Sequence, residues 1–336
     1  MARRRLAVSI MPLDNRRDAL VGAAVAADRL GYDAFFLPET WAFDVAVLLA
    51  EAAVKTSRIT LGTGILGVWG RSAGQIAMAA ATLGSISGGR FVLGLGASTA
   101  QLTEGLHDVV YEAPLARMRR TVTQVKALLR GERIPLAVST GARPLRLNLP
   151  PAPDLPVYLA ALGDASVRLA GEVADGWMPF LYPRDHLAAG IALLGEGATR
   201  RGDGALPPVV SPSVPAVVAA DPAKAREGAA WFVAFYLTTM GSFNRESLAR
   251  RGFGREVEAV LAANQPKFTG AVPAAAEPLL EQLTVWGTPA EARARLAGWY
   301  DAGAALPGLL LSPNLPRDQI DYTLEAFRPV LESSHA

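Results

Sequence analysis

Few side chains in this sequence are equipped for chemistry. The chain has no cysteine and three histidines, His107, His186 and His335. Disulfides, thiolate zinc sites and cysteine nucleophiles are therefore excluded. Three scattered histidines also argue against a multi-histidine metal site, so no metal is expected. What remains falls into four patterns. Glu39, in "LPETW", can orient a substrate or move a proton; its competing role is a carboxylate bonded to nearby backbone amides. Trp41 beside it can wall a pocket or simply pack. His107, in "EGLHDV", is the histidine expected near a site, although a lone histidine is as readily structural. "ITLGTGILGVWGRS" threads Gly62, Gly64, Gly67 and Gly70 through an apolar run, as a bulge or as close packing between strands. "LAALGDASVRLAG" reads as a strand–glycine–helix turn. There the amides of Gly163, Asp164, Ala165 and Ser166 can receive an anion at a positive helix end. Asp164 sets a negative charge beside that anion and also reads as an ordinary helix cap.

These residues need elements to hold them. "RRLAVSIMP" reads as a strand, followed by a helix over "DNRRDALVGAAVAADRLGY" with Asp14 as N-cap and Gly31 as stop. Strand "DAFFLPE", a helix with Asp44 near its start, strand "ITLGTGI", helix "AGQIAMAAATLGSISGG", strand "RFVLGLGAS" and helix "LARMRRTVTQVKALLRGE" continue the alternation. This is the signature of a parallel sheet with right-handed crossovers, and strands apolar throughout are expected when both faces are buried. A Pro- and Gly-rich loop from Glu132 to Pro156, with room for a short hairpin, precedes strand "PVYLAAL", helix "DASVRLAGEVA" and strand "DGWMPFL". A helix from about Asp185 to Arg201 and an apolar strand in "PPVVSPSVPAVVAA" follow. Residues 222–281 read as a late helical insertion. Thr288, Pro289 and Glu291 announce a further capped helix, and "LPGLLLSPN" a last strand. About eight strand–helix units predict an α/β fold: one (β/α)8 TIM barrel over residues 1–336, with loop insertions.

Active sites of such barrels lie at the C-terminal ends of the strands. That rule gathers Glu39, Thr40 and Trp41 after strand two and Thr63, Gly64 and Ile65 in the glycine run. It adds Gly96, Ala97 and Ser98 after strand four and Leu162 and Gly163 after strand five. The set lacks the clustered acids and histidines of a metal-dependent hydrolase and the strand-end lysine of a Schiff-base aldolase. A wide apolar mouth suits a large flat cofactor that brings its own chemistry.

Composition sets the outer bounds. The chain has 336 residues, 51% of them hydrophobic, and 33 basic against 31 acidic side chains for a net charge of +2. No dense basic run points to nucleic acid. Arg3–Arg5 mimic the start of a signal peptide, but Pro12, Asp14 and Asn15 break the apolar stretch after them, which reads as a strand. No run is long and uncharged enough for a membrane span. A cytoplasmic protein acting on a small molecule is expected.

"GYDAFFLPETWAFD", "TSRITLGTGI", "AMAAATLGSISGGRFVLGLGAS", "EGLHDVVYEAPLARMRRTVTQVKALLRGE" and "LAGEVADGW", in this order, resemble the luciferase-like superfamily. "FYLTTMGSFNRESLARRGFGREV" resembles the late helical insertion of its branch dependent on the deazaflavin coenzyme F420. The resemblance runs nearly end to end and implies the same barrel. It implies a bulge after strand three with a non-proline cis peptide at Gly64–Ile65 behind the deazaflavin ring. Ser98 would bond the ring or its ribityl chain, and residues 162–166 the phosphate of the tail, with Arg71 and Arg168 offsetting Asp164. Many relatives carry Asp-His where this chain has Glu39-Thr40, so a proton-donating histidine at position 40 is missing; an acid–base role falls to Glu39, to His107 or to a group from elsewhere. The activity implied is hydride exchange between coenzyme F420 and an organic substrate. The alternatives are an FMN-dependent monooxygenase and a cofactor-less accessory or binding protein. Relatives often dimerise through their early helices, which makes the alanine-rich third helix and Trp69 candidates for a homodimer interface.

Overall fold

The computed structural model describes residues 4–138, 141–201 and 206–332, so His335 lies outside the described residues. In chain order the first half holds β1 (Ala7–Ile10), α1 (Arg17–Leu30), β2 (Ala34–Pro38), α2 (Val45–Lys55), β3 (Thr60–Gly67), α3 (Ala73–Ile86), β4 (Phe91–Gly96), α4 (Ala100–His107), α5 (Pro114–Leu129), β5 (Val157–Leu159) and α6 (Asp164–Val173). The second half holds β6 (Gly176–Trp177), α7 (Leu187–Ala198), β7 (Val209–Val210), β8 (Ser213–Val218), α8 (Pro222–Thr239), α9 (Phe243–Leu248), α10 (Gly254–Ala263), α11 (Glu277–Leu283), β9 (Val285–Gly287), α12 (Pro289–Asp301), β10 (Gly308–Leu311), α13 (Arg317–Ala326) and α14 (Arg328–Glu332).

Every strand pairing is parallel, and the hydrogen-bonded order is β7-β6-β5-β4-β3-β2-β1-β10-β8-β9. β7 runs into β8 through Ser211 and Pro212, which joins one end of that order to the strand next to its other end. Ser211 N donates to Trp177 O (2.8 Å) and Ser213 N to Pro179 O (2.9 Å), so the ring is closed by backbone bonds. Side chains alternate across it as a barrel requires. Ala7, Ala34, Phe36, Val92, Tyr158, Met178 and Leu306 fill the interior. Their neighbours, such as Val8, Ile10, Phe35 and Leu61, pack outward against the helices. A separate apolar cluster joins α8, α10 and α11 to Met11, Leu181 and Leu310 at the barrel top.

Local signals account for most element ends. Asp44 Oδ1 accepts from Ala46 N (3.0 Å) and caps α2. Ser72 and Gln75 form a capping box on α3, as Thr288 and Glu291 do on α12. Gly31 ends α1 in the left-handed region at φ 88°. Asp14 departs from its expected role. The N-cap of α1 is Arg16, and buried Asp14 instead accepts from Arg16 N (3.0 Å) and from Asn314 N (2.9 Å) after β10. The long-range partner draws the carboxylate away from the helix.

Several other expectations shift. The helix after strand six begins as a 3-10 turn at Arg184–His186 and ends at Ala198. In the loop before β5, Ile134 N donates to Leu145 O (2.8 Å), yet no strand forms among its described residues. The late helical segment runs from Pro222 to Leu283, with a π-helical turn at Ala249–Phe253. Several elements went unanticipated: β9, three residues between helices; α4, where a loop was expected; α13 and α14 after the last strand; and the division of the strand expected in "PPVVSPSVPAVVAA" into β7 and β8.

Candidate active site

The glycine run resolves into contacts. Leu37 pairs with Thr63 and Pro38 with Ile65, so Gly64 is skipped on the β2 side. On the other side Gly62 pairs with Val92 and Leu66 with Leu95, so β3 carries one residue more than β4 over the same span. This is a β-bulge. A Cβ on Gly64 would stand 2.8 Å from Pro38 N, and one on Gly62 would stand 2.6 Å from the Phe36 ring. Ile65 lies over Gly96, where a Cβ would meet its Cδ1 at 2.2 Å. Gly70 plays a separate part, leaving room for the His107 imidazole. The bulge is thus present where expected, but the Gly64–Ile65 peptide is not cis. Among the described residues the cis bond is Gln265–Pro266. The shift in register absorbs the extra residue without a change of peptide isomer.

The bulge borders a cavity of about 680 Å³ at the C-terminal ends of the strands. Glu39, Thr40, Trp41, Gly64, Ile65, Gly96, Ala97, Ser98, Leu162, Gly163, Asp164, Ala165 and Ser166 all line it. Thr63 and His107 do not. Thr63 is fully buried and braces β3 to β4, donating to Gly94 O (2.7 Å) and accepting from Gly94 N (2.8 Å). His107 ends α4 and faces a different groove, about 880 Å³, between α2 and α3. The apolar wall includes Phe180, which the strand-end rule picks out at the end of strand six, and Phe36, Tyr111, Met178 and Tyr236, which sequence reasoning did not single out. Ser9 and Ser213 also line it, and a signal for them existed: each is a lone hydroxyl in an otherwise apolar strand. Tyr236 comes from α8, far along the chain, and nothing local marks it.

At the rim, Glu39 is held by a partner that sequence reasoning assigned elsewhere. Arg71 donates to both of its oxygens, Nη1 to Oε2 at 2.5 Å and Nη2 to Oε1 at 2.8 Å, and reaches Asp44 Oδ2 at 2.8 Å. The bond to Glu39, with help from Asp44, outweighs burial and drives the Arg71 pKa further up, so its charge is permanent. Neither backbone amides nor a tail anion is the partner here. Glu39 N also donates to Ile65 O (3.1 Å), tying the rim to the bulge. The Thr40 hydroxyl donates to Pro12 O (2.9 Å). Trp41 is 54% exposed.

Ser98 turns the chain at the end of β4 in the left-handed region, φ 57°. Trp69 supports this corner: it is buried, its Nε1 donates to Ala97 O (2.7 Å), and Arg117 lies 5.3 Å from its ring. This burial removes Trp69 from the candidate interface residues. On the opposite strand ends, α6 starts with Gly163 as N-cap and no side-chain capping bond, and Asp164 is its first helical residue rather than its cap. The Ser166 hydroxyl donates to Gly163 O (2.7 Å). The first-turn amides of α6 therefore remain available to a ligand. Arg168 pairs with Glu196 (2.7 Å) and so, like Arg71, is engaged elsewhere. The basic side chain that does line the cavity is Arg250.

Comparison with known proteins agrees with this geometry. A family model described as luciferase-like monooxygenase matches residues 5–306. A Mycobacterium tuberculosis protein, provisionally named a coenzyme F420-dependent oxidoreductase, is 30% identical over 310 residues, covering 84% of this chain and 87% of its own. The 5,10-methylenetetrahydromethanopterin reductase of Methanolobus tindarius is 28% identical over 301 residues, covering 87% and 90%. In fold, the coenzyme F420-dependent tetrahydromethanopterin reductase from Methanopyrus kandleri superposes with a TM-score of 0.80, covering 98% of this chain and 99% of that one at 21% identity.

Proposed function

The chain belongs to the luciferase-like monooxygenase family, and from that premise we propose that it is an oxidoreductase using coenzyme F420. The relatives named for that coenzyme support the choice over FMN. The observation that carries the reading is one apolar cavity bordered by the β3 bulge and by the uncapped start of α6. A flat ring fits against the face that Gly64, Ile65 and Gly96 present to the cavity, and an anionic tail fits the free amides of Asp164, Ala165 and Ser166. When bound, the deazaflavin supplies hydride transfer. The chain's own residues orient the partners and exclude water. Ile65, pinned between the bulge and Gly96, backs the ring; Ser98 offers a hydroxyl; Glu39, clamped by Arg71, presents a fixed carboxylate at the rim. The reaction classes are reduction of an activated C=C or C=N bond, or oxidation of an alcohol, and the reaction is assigned to the cytoplasm. His107 takes no part in this reading, because it lies off the cavity.

We also infer that the chain works as a homodimer. The exposed apolar side chains of α2 and α3, Val47 at 67%, Met78 at 53% and Ile86 at 42%, support α2 and α3 as the interface in place of Trp69.

The direct test titrates the protein with coenzyme F420 and, separately, with FMN, following cofactor fluorescence. Stoichiometric binding of F420 alone is expected. Preference for FMN would move the protein to the monooxygenases, and binding of neither would overturn the enzyme reading.

A further inference from the structure

Resting on the deazaflavin reading, we propose that Tyr236 is the residue that binds the substrate's oxygen, with Ser213 beside it. The cavity then takes an uncharged, largely apolar molecule that carries a carbonyl or hydroxyl oxygen.

The polar groups that line the cavity fall into two sets. Thr40, Tyr111, Ser166, Ser211 and Thr239 each donate their hydroxyl to a backbone carbonyl and are occupied by the fold. Thr99 is spent capping α4. Tyr236 differs. It is only 7% exposed, and its hydroxyl makes no hydrogen bond among the described residues, which leaves it open to a guest in the cavity it lines. Its ring is fixed from two sides, edge-on to Phe180 (4.6 Å between centroids) and stacked on Phe232 (5.4 Å). Phe180 is bridged through its backbone to Ser213, another lining residue whose hydroxyl has no partner in the described residues. A rigid phenol and a free serine hydroxyl therefore share one wall, on the α8 side of the mouth. Burial raises the pKa of Tyr236, so the phenol stays protonated and can donate.

The charges around the cavity argue for a neutral guest. Glu39 is taken by Arg71. No histidine or lysine lines the cavity among the described residues, and Arg250 is exposed beside Glu246 at 3.8 Å. A substrate carboxylate would enter this apolar volume without a dedicated partner, at high desolvation cost.

The test uses cyclohex-2-en-1-one, cyclohexene and a carboxylate-bearing cyclohexenone as probes, with dissociation constants read by ligand-observed NMR with and without coenzyme F420. Wild-type protein should bind the enone roughly tenfold more tightly than cyclohexene, the size of a single neutral hydrogen bond, and should disfavour the carboxylate. Tyr236→Phe and Ser213→Ala should each remove most of the enone's advantage while leaving cyclohexene binding, melting temperature and F420 affinity unchanged. Enone bound no better than cyclohexene, preference for the carboxylate, or an unaltered enone affinity in Tyr236→Phe would overturn the proposal. If Tyr236→Phe failed to fold, Ser213→Ala would decide. Failure of wild-type protein to bind F420 would count against the cofactor reading alone, because the cofactor-free titrations still judge the oxygen site.

Discussion

Gly94 shows how little room the barrel top leaves at single residues. A methyl there would stand 2.1 Å from the carbonyl oxygen of Thr63, a backbone atom that cannot step aside. The same Thr63 exchanges both of its side-chain hydrogen bonds with Gly94. Gly94→Ala should therefore destabilise the fold by about 3 kcal/mol, the upper end for an overpacked core. A denaturant titration reads this directly, and an unchanged midpoint would refute the packing account. Glu39 makes the complementary point. Its position after an apolar strand marked it as a site residue from sequence, but its partner did not show. Arg71 lies 32 residues away on the far side of a helix and a strand, and only folding brings the guanidinium to the carboxylate. Tyr236 carried no local mark at all, because a tyrosine in an aromatic-rich helix reads as core until the cavity beneath it is known.

Between elements, Asp14 has the widest reach. It lies between β1 and α1, and it binds the backbone of Asn314, which follows β10, so it fastens the ends of two neighbouring strands, the first and last of the chain. Burial by itself would raise its pKa. Hydrogen bonds from the Arg16 side chain and backbone and from Asn314 N outweigh that and hold the carboxyl below its ordinary 3.8. A depressed folded-state pKa means the charged form contributes stability above about pH 3.8, and the contribution fades as pH falls through the lower folded value. Asp14→Asn should cost about 2 kcal/mol at neutral pH, as expected for hydrogen bonds to a charged group. The gap between mutant and wild type should close in the acid region below 3.8. Melting curves across pH test it, and a gap that stayed constant would show that the charge is not the cause. The starts of α2 and α12 were legible from sequence because Asp44 and Thr288 act within one turn. The start of α1 was misread because its nearest acid was claimed by a residue from the other end of the chain.

For the whole molecule, the apolar groove between α2 and α3 bears on the proposed homodimer. Met78 is 53% exposed within it. Met78→Glu should convert dimers to monomers in sedimentation velocity without changing the melting of the isolated chain, since the side chain supports no core contact of its own protomer. A protein that sediments as a monomer before mutation would end the dimer proposal. The barrel itself was determined by the sequence. Alternating apolar strands and capped helices are a local pattern, and parallel strands linked by right-handed crossovers have few ways to bury both faces. The glycine run likewise announced irregular backbone, because those residues mark strands that must bend or pack closely. Tertiary structure alone decided the rest. It chose a register shift where a cis peptide was expected, turned His107 to the outer groove, buried Trp69, and paired Arg71 with Glu39. Each of these depends on which side chain arrives opposite which across the sheet or helix layer, and that contact order is written in three dimensions rather than in spacing along the chain.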